Sequence, residues 1–198
     1  MKAIFKKEFK NYFLSPVGYI FVGVFMALAS MFFASGILST QQADISLMFS
    51  DINVIYLFLA SLLTMRLLAE EKNKKTDQLL LSSPVSITEI VLGKYFAAMA
   101  VFGVTILLSF IFPAIMFAFG EPSLSEVIGS YIGFVLLWGA FISIGVFISS
   151  LTESQMIAGV FTFASLLLIY FISWFEASVQ NELAKKVIDC FSLLSRYS

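Results

Sequence analysis

The sequence contains no histidine, and its single cysteine is Cys190. Without histidine the chain lacks the usual general base, the usual proton shuttle and the commonest metal ligand. Serine–histidine catalysis, cysteine–histidine catalysis and histidine-based zinc sites are therefore excluded. Cys190 has no second cysteine for an intrachain disulfide and no companions for a metal site, so we interpret it as an apolar filler near a membrane surface.

Charged residues are also scarce, since they make up 13% of the chain while apolar and aromatic residues make up 60%. Ordinary soluble domains are about half apolar and about a quarter charged. A soluble domain of 198 residues has too little interior to bury so much apolar surface. Lipid is therefore the expected solvent. We therefore predict an all-α fold, a polytopic transmembrane helical bundle that forms one domain over residues 1–198.

The apolar residues fall into long runs. A helix needs about 20 apolar residues to cross about 30 Å of hydrocarbon. Five runs approach this length, and they predict spans at about residues 17–38, 52–69, 87–119, 128–148 and 156–175. In the apolar parts of these runs, which begin at Val91 in the third and at Ile157 in the fifth, charge lies within or close to the run only at Arg66 and Lys94. Each is near one end, where a long side chain can reach the headgroups.

The third run is longer than a bilayer requires. Ser86 and Glu89 have the spacing of a capping box, which predicts a helix start at this point. From there to residue 119 the helix would measure about 50 Å. We expect its first two turns, with Glu89 and Lys94, to stand in the cytoplasm, and we expect Pro113 to kink its outer half.

The positions of lysine and arginine predict the orientation of the chain. Basic residues precede the first span and surround the second connection, whereas the loops at residues 41–51 and 120–127 contain acids and no bases. The amino terminus and the second connection should therefore be cytoplasmic. With five spans, residues 176–198 form an external segment, which places Lys185, Lys186 and Arg196 on the disfavoured side.

The first 15 residues predict an amphipathic elbow helix that lies in the membrane interface. One helical face carries Ile4, Phe5, Phe9, Tyr12 and Phe13, and lysines occupy the rest. Ser15-Pro16 ends this helix before the first span. A cleaved signal peptide is the alternative interpretation of the amino terminus, with Ala27-Leu28-Ala29 as its cleavage site.

Residues 70–86 form the one long polar connection. Glu70 with Lys74 and Glu71 with Lys75 have i,i+4 spacing, so the first half is expected to continue the second span as a solvated helix. Thr76 can cap a short following helix that Pro84 ends. This second helix presents Leu79, Leu80 and Leu81, which either dock in a groove of another protein or lie at the lipid headgroups.

Three stretches carry a family resemblance. The first stretch is the polar connection with its flanking residues. It consists of Arg66, Ala69-Glu70-Glu71-Lys72, Thr76-x-x-Leu79-Leu80-Leu81-Ser82-Ser83-Pro84-Val85-Ser86 and Gly93-Lys94. It resembles the first cytoplasmic loop of the ABC-2 class of ABC transporter permeases, most closely the gliding-motility and nitrous-oxide-reductase-maturation type. Residues 8–16 are similar to the elbow of that family, and residues 149–155 to its loop before the fifth helix. Many members carry glycine where this chain has Lys75, so we expect the corner to bend differently.

The resemblance implies a permease subunit of an ABC transporter in the bacterial cytoplasmic (inner) membrane. It implies a partner permease, either a second copy or a relative, and two separate cytoplasmic ATPase subunits that bind ATP and Mg²⁺. This chain would bind no cofactor or metal and no nucleic acid, and it would contact membrane lipid. The helix at residues 76–82 would be the coupling helix, and the implied ATPase-coupling residues are Glu70, Glu71, Thr76, Leu79, Leu80, Leu81, Ser82 and Pro84. The sixth helix of the family is absent, so we expect the chain to be truncated.

Other functions were weighed against this one. The nearest approach to a Walker A loop is Gly93-Lys94, which lacks the leading glycine and is followed by Tyr95, so we expect no ATPase activity in this chain. An intramembrane protease would want a histidine or acids inside two spans. A channel, a secondary carrier or a membrane scaffold is the main alternative, although carriers usually place ionisable groups at mid-membrane and the spans contain no acid there.

Overall fold

The computed structural model describes residues 1–38, 53–76, 85–120 and 122–176. These ranges contain eight α-helices and no β-strand, which confirms the all-α prediction. A π-helical segment, Phe33–Leu38, continues the second helix. The helices are α1 (Lys2–Leu14), α2 (Pro16–Phe32), α3 (Asn53–Thr64), α4 (Ala69–Asn73), α5 (Ile87–Ser109), α6 (Ile111–Phe119), α7 (Leu124–Leu151) and α8 (Gln155–Glu176).

Four helical stretches in the described ranges are long and apolar enough to cross a membrane. They are Pro16–Ser35, Ile87–Phe119, Leu124–Leu151 and Gln155–Ile172. Large apolar side chains such as Leu107, Leu136 and Phe161 face outward from them and are more than half exposed. An outward apolar surface of this kind suits lipid and confirms a polytopic membrane protein.

Helix α3 is the exception, because its 12 residues are fewer than a span requires. The residues before it, 39–52, lie outside the described ranges, so the predicted second span and the total of five spans stay predictions. The helix ends before the predicted carboxyl-terminal bound of that span. It was expected to reach residue 69, but α3 ends at Thr64.

An aromatic cluster joins α2, α3, α5 and α7 at the centre of the bundle. The rings of Phe102 and Trp138 stack with their centroids 4.4 Å apart, and Phe25 stacks on Tyr56 at 4.9 Å. Phe134 packs against both pairs. All five side chains are almost fully buried. Helix α8 lies outside this cluster and packs against α3 and α7.

The long helical stretch Ile87–Phe119 is interrupted at Phe110, between α5 and α6 and about one turn before Pro113. Proline has no N–H, so the carbonyl of Ser109, four residues earlier, loses its helical partner. The hydroxyl of Tyr131 on α7 donates to that carbonyl at 3.0 Å and therefore satisfies it. The proline break was expected from the sequence, but the residue that satisfies the freed carbonyl was not.

Helix α1 packs across the start of α5. Its buried stripe consists of Ile4, Glu8 and Tyr12, while its lysines are exposed and Phe5, Phe9 and Phe13 are half-buried beside the stripe. Ile4 lies against Gly93, where an added Cβ would be 3.0 Å from Ile4 Cγ2. The close approach of α1 to α5 buries Lys94, which is described below.

Candidate functional site

The helix is interrupted between α3 and α4. Met65 to Leu68 form a turn instead of a continuing helix, and Ala69, at the start of α4, is fully buried. Residues 69–73 are helical as expected, but they do not continue α3 directly, because the turn at Met65 to Leu68 separates the two helices. The end of α3 packs closely on α7, where Gly145 leaves room for Thr64. A Cβ at position 145 would lie 2.6 Å from Thr64 Cβ.

One buried side chain, Ser149 on α7, satisfies the backbone at this turn. Its Oγ accepts hydrogen bonds from the amides of Leu68 and Ala69, both at 3.1 Å, and donates to the carbonyl of Met65 at 3.4 Å. Lys72 adds a hydrogen bond from its Nζ to the carbonyl of Ser150. Helix α7 thus holds the start of α4 in place.

Tyr12 on α1 satisfies another backbone group at the same turn. Its hydroxyl donates to the carbonyl of Leu63 at 2.7 Å. A continuing helix would fill that carbonyl with the amide of Leu67, but this amide donates to Thr64 instead. Burial raises the pKa of Tyr12 above its ordinary value, and the nearby Glu8 carboxylate adds to the shift. The tyrosine therefore remains a hydrogen-bond donor at physiological pH.

Lys94 on α5 is the most deeply buried charged residue of the described chain, with its side chain 1% exposed. Its Nζ lies 2.9 Å from Glu71 Oε2 on α4 and 3.3 Å from Glu8 Oε1 on α1. Lys7 lies 3.5 Å from the other oxygen of Glu71. Lys94 is buried instead of solvated because α1 covers this part of α5. That this end of the helix lies on the cytoplasmic side stays a prediction. We call Glu8, Arg66, Glu70, Glu71 and Lys94 the charged end.

Arg66 and Glu70 form the second half of the charged end. Arg66 Nε donates to Glu70 Oε2 at 2.9 Å, and Lys74 Nζ donates to Glu70 Oε1 at 2.6 Å. Burial alone would raise the pKa of Glu70, but the hydrogen bonds from Arg66 and Lys74 outweigh it and lower the pKa. The carboxylate therefore stabilises the fold above its ordinary pKa, and this contribution is lost as the pH falls through the lowered value.

Helix α4 ends in a Schellman motif. The amide of Thr76 donates to the carbonyl of Glu71 at 2.9 Å, and the amide of Lys75 donates to Lys72 at 3.0 Å. Lys75 has a φ of 53°, in the left-handed region that glycine occupies most easily. Of the two predicted i,i+4 pairs, Glu70 with Lys74 is confirmed. Glu71 pairs with Lys94 and Lys7 instead of Lys75.

The predicted site residues are therefore divided. Glu70 and Glu71 are part of the charged end, and Thr76 follows α4 directly. The others, Leu79, Leu80, Leu81, Ser82 and Pro84, lie outside the described residues. Sequence reasoning missed Glu8, Tyr12 and Ser149. Glu8 did carry a signal, because it lies four residues from both Ile4 and Tyr12 and so interrupts their stripe with a charge that needs a partner.

The arrangement joins helices and offers no reactive constellation. In the described ranges no three acidic or cysteine side chains come together as metal ligands would. What the charged end can do is mechanical, since α4 is tied to α1, α5 and α7 by polar contacts. A displacement of α4 would therefore act on three other helices.

Comparison with known proteins gives one match. A family model described as "ABC-2 family transporter protein" matches residues 2–189, which is nearly the whole chain. No curated protein and no solved structure matches the chain significantly.

Proposed function

This chain belongs to the ABC-2 family of transporter proteins, and we propose that it is a permease driven by separate cytoplasmic ATPase subunits. ATP and Mg²⁺ would be bound by those subunits. The observation that carries the proposal is the contact of Lys94 with both Glu71 and Glu8. It links α4, the helix that precedes residues 77–84, with α1 and α5.

The proposed coupling works by displacement of packed helices. Closure of the ATPase pair would move residues 76–82, which we propose as the coupling helix with Leu79, Leu80 and Leu81 facing the ATPase. Helix α4 would follow because Thr76 is bonded to Glu71. The ion pairs of Glu71 would then carry the movement to α1 and α5.

This proposal changes the role suggested for two residues. Glu70 and Glu71 are occupied by Arg66, Lys74, Lys94 and Lys7 within the chain. We propose that they transmit movement inside the permease, whereas Ser82 and Pro84 shape the loop that meets the ATPase. The buried pair of Glu71 with Lys94 suits this task because it fixes which helices move together.

The assembly and its placement belong to the same proposal. We propose a dimer of permeases, formed with a second copy or a relative, in a bacterial cytoplasmic membrane. The exposed lysines of α1 support a cytoplasmic amino terminus by the positive-inside rule. The three loop motifs quoted above support the gliding-motility and nitrous-oxide-reductase-maturation type.

Co-purification tests the proposal. The tagged chain is extracted in mild detergent from its native host, and bound protein is assayed for ATP hydrolysis. We expect an ATPase with the wild-type chain and at least tenfold less with Leu80→Asp, since a charge in an apolar groove costs about 1.4 kcal/mol or more.

Leu124→Asp is the matched control, because Leu124 is 61% exposed at the start of α7 and an acid is tolerated in a first helical turn. It should retain the ATPase. The proposal fails if no ATPase accompanies the wild-type chain, or if Leu80→Asp retains as much as Leu124→Asp.

A further inference from the structure

A cleft of about 420 Å³ opens between α1 and α4. Its lining includes four cations and three carboxylates, with a net charge of +1 from Lys7, Arg66, Lys74, Lys94, Glu8, Glu70 and Glu71. Lys94 is fully engaged with two carboxylates, but Lys7 and Lys74 are 55% and 62% exposed. Lys7 pairs with Glu8 and Glu71, and Lys74 pairs with Glu70, but both ammonium groups remain accessible at the cleft.

Arg66 and Asn11, which both line the cleft, can each form further hydrogen bonds. Arg66 uses Nε for Glu70, and one of its terminal nitrogens lies 3.5 Å from Ser15 Oγ. Its other guanidinium N–H groups have no partner among the residues that the structure describes. The exposed side-chain amide of Asn11, which also lines the cleft, has none there either. A planar guanidinium beside ammonium groups is the donor set that phosphate oxygens prefer.

The position of the cleft indicates where such a phosphate comes from. Leu14 lines one side and is 72% exposed, and the next residues begin α2, a helix that is apolar enough to cross the membrane. Tyr19 and Ile20 on that helix are also more than half exposed. The cleft is thus charged inside and borders an apolar wall that starts where a membrane helix starts, which is the level of the headgroups.

We propose that this cleft binds the phosphate of an anionic phospholipid, with the acyl chains running along Leu14 and the outer face of α2. Arg66 and Lys7 hold the phosphate, and Asn11 donates to it or to the headgroup beyond. The proposal concerns this chain alone in lipid and does not depend on an ATPase partner.

Lipid titration of the purified full chain, read by native mass spectrometry, tests the proposal. We expect dioleoylphosphatidylglycerol to occupy one saturable site, and dioleoylglycerol, which has the same chains without phosphate, to bind at least tenfold more weakly. Lys7→Gln should weaken phosphatidylglycerol binding about fivefold, because one basic residue near a membrane surface contributes about 1 kcal/mol.

Lys6→Gln is the matched control, since Lys6 is an exposed neighbour on α1 that does not line the cleft. It changes the net charge equally and should alter binding less than twofold. Arg66→Lys keeps the charge but loses the planar fork, and it should weaken binding as Lys7→Gln does.

Three results would overturn the proposal. Equal losses from Lys6→Gln and Lys7→Gln would indicate diffuse attraction to a basic surface. Equal binding of dioleoylglycerol would remove phosphate recognition. Displacement of the lipid by millimolar inorganic phosphate would identify a free anion as the ligand.

Discussion

Lys94 and Trp138 are both almost completely buried, yet they hold the bundle together in different ways. Trp138 lies among aromatic rings from α2, α3, α5 and α7, and its Nε1 has no hydrogen-bond partner in the described part of the chain. Lys94 instead pairs with one carboxylate on α1 and another on α4. The aromatic cluster depends on shape, and the charged end depends on particular partners.

The difference matters because lipid weakens one kind of contact. Between membrane helices there is little hydrophobic driving force, since lipid tails are as apolar as the side chains they would replace. Ring packing can therefore rearrange at modest cost, whereas a buried ammonium needs its carboxylates. The charged end therefore determines which helices move together more strictly than the aromatic cluster does.

The largest loss of stability is expected when the buried cation Lys94 is removed. Lys94→Met leaves Glu8 and Glu71 with only the half-exposed Lys7 as a shared partner. We therefore expect a loss of about 3 kcal/mol in the free energy of unfolding, the lower end of the range for a broken buried pair. In water-soluble cores, Phe→Ala typically costs about 3–5 kcal/mol. Phe102→Ala in the aromatic cluster should cost less, because a phenylalanine side chain gains little free energy by moving from lipid into the bundle.

Unfolding in mixed micelles measures both variants, and Lys10→Met, which removes an exposed lysine of α1, is the control. It should lie within about 0.5 kcal/mol of wild type. A loss for Lys94→Met no larger than that for Lys10→Met would mean that the charged end contributes no specific stability.

A smaller loss is expected at Ser149, and a second serine on α7 provides a control within the same helix. Ser149→Ala leaves two buried amides and a carbonyl at the turn without their partner, and we expect a cost of about 1–3 kcal/mol. Ser143→Ala is the control on the same helix, because that hydroxyl donates only to the carbonyl of Gly139, one turn earlier. Similar stabilities of the two variants would show that the turn does not need Ser149.

The smallest effect is expected at Lys75. Lys75→Gly removes the strain of a lysine at φ 53°, and we expect stability to stay level or rise by up to about 1 kcal/mol. Lys74→Gly, at φ −83°, gains no such relief and also loses the pair with Glu70, so it should be destabilised. Thermal unfolding compares the two, and equal destabilisation would contradict the Schellman ending of α4.

The parts of the fold that depend on local chemistry were predictable. The membrane imposes a length on apolar runs, so the long helices were evident, and Ser86 does cap α5 by accepting from the amide of Glu89 at 3.3 Å. Pro113 likewise marked the interruption before α6. Each of these signals lies within a few residues of the feature that it predicts.

The site depended on contacts between distant parts of the chain, and these were not predictable. The turn at Met65 contains no glycine or proline, and its capping hydroxyl, Ser149, is 80 or more residues away. The burial of Lys94 follows from where α1 lies, which amphipathicity alone does not define. Lys75 was expected to bend the corner differently from a glycine, yet its φ of 53° is in the left-handed region that glycine favours. Lysine carries no signal for that conformation.

The central claim is that Glu71 and Lys94 tie the helix leading into the loop to the membrane bundle. A double-mutant cycle measures this directly, with the unfolding free energies of wild type, Lys94→Met, Glu71→Gln and the double variant. We predict an interaction energy of about 1–3 kcal/mol between the two sites, so that the double variant is more stable than the sum of the single losses implies. Additive losses, within about 0.5 kcal/mol, would contradict the claim.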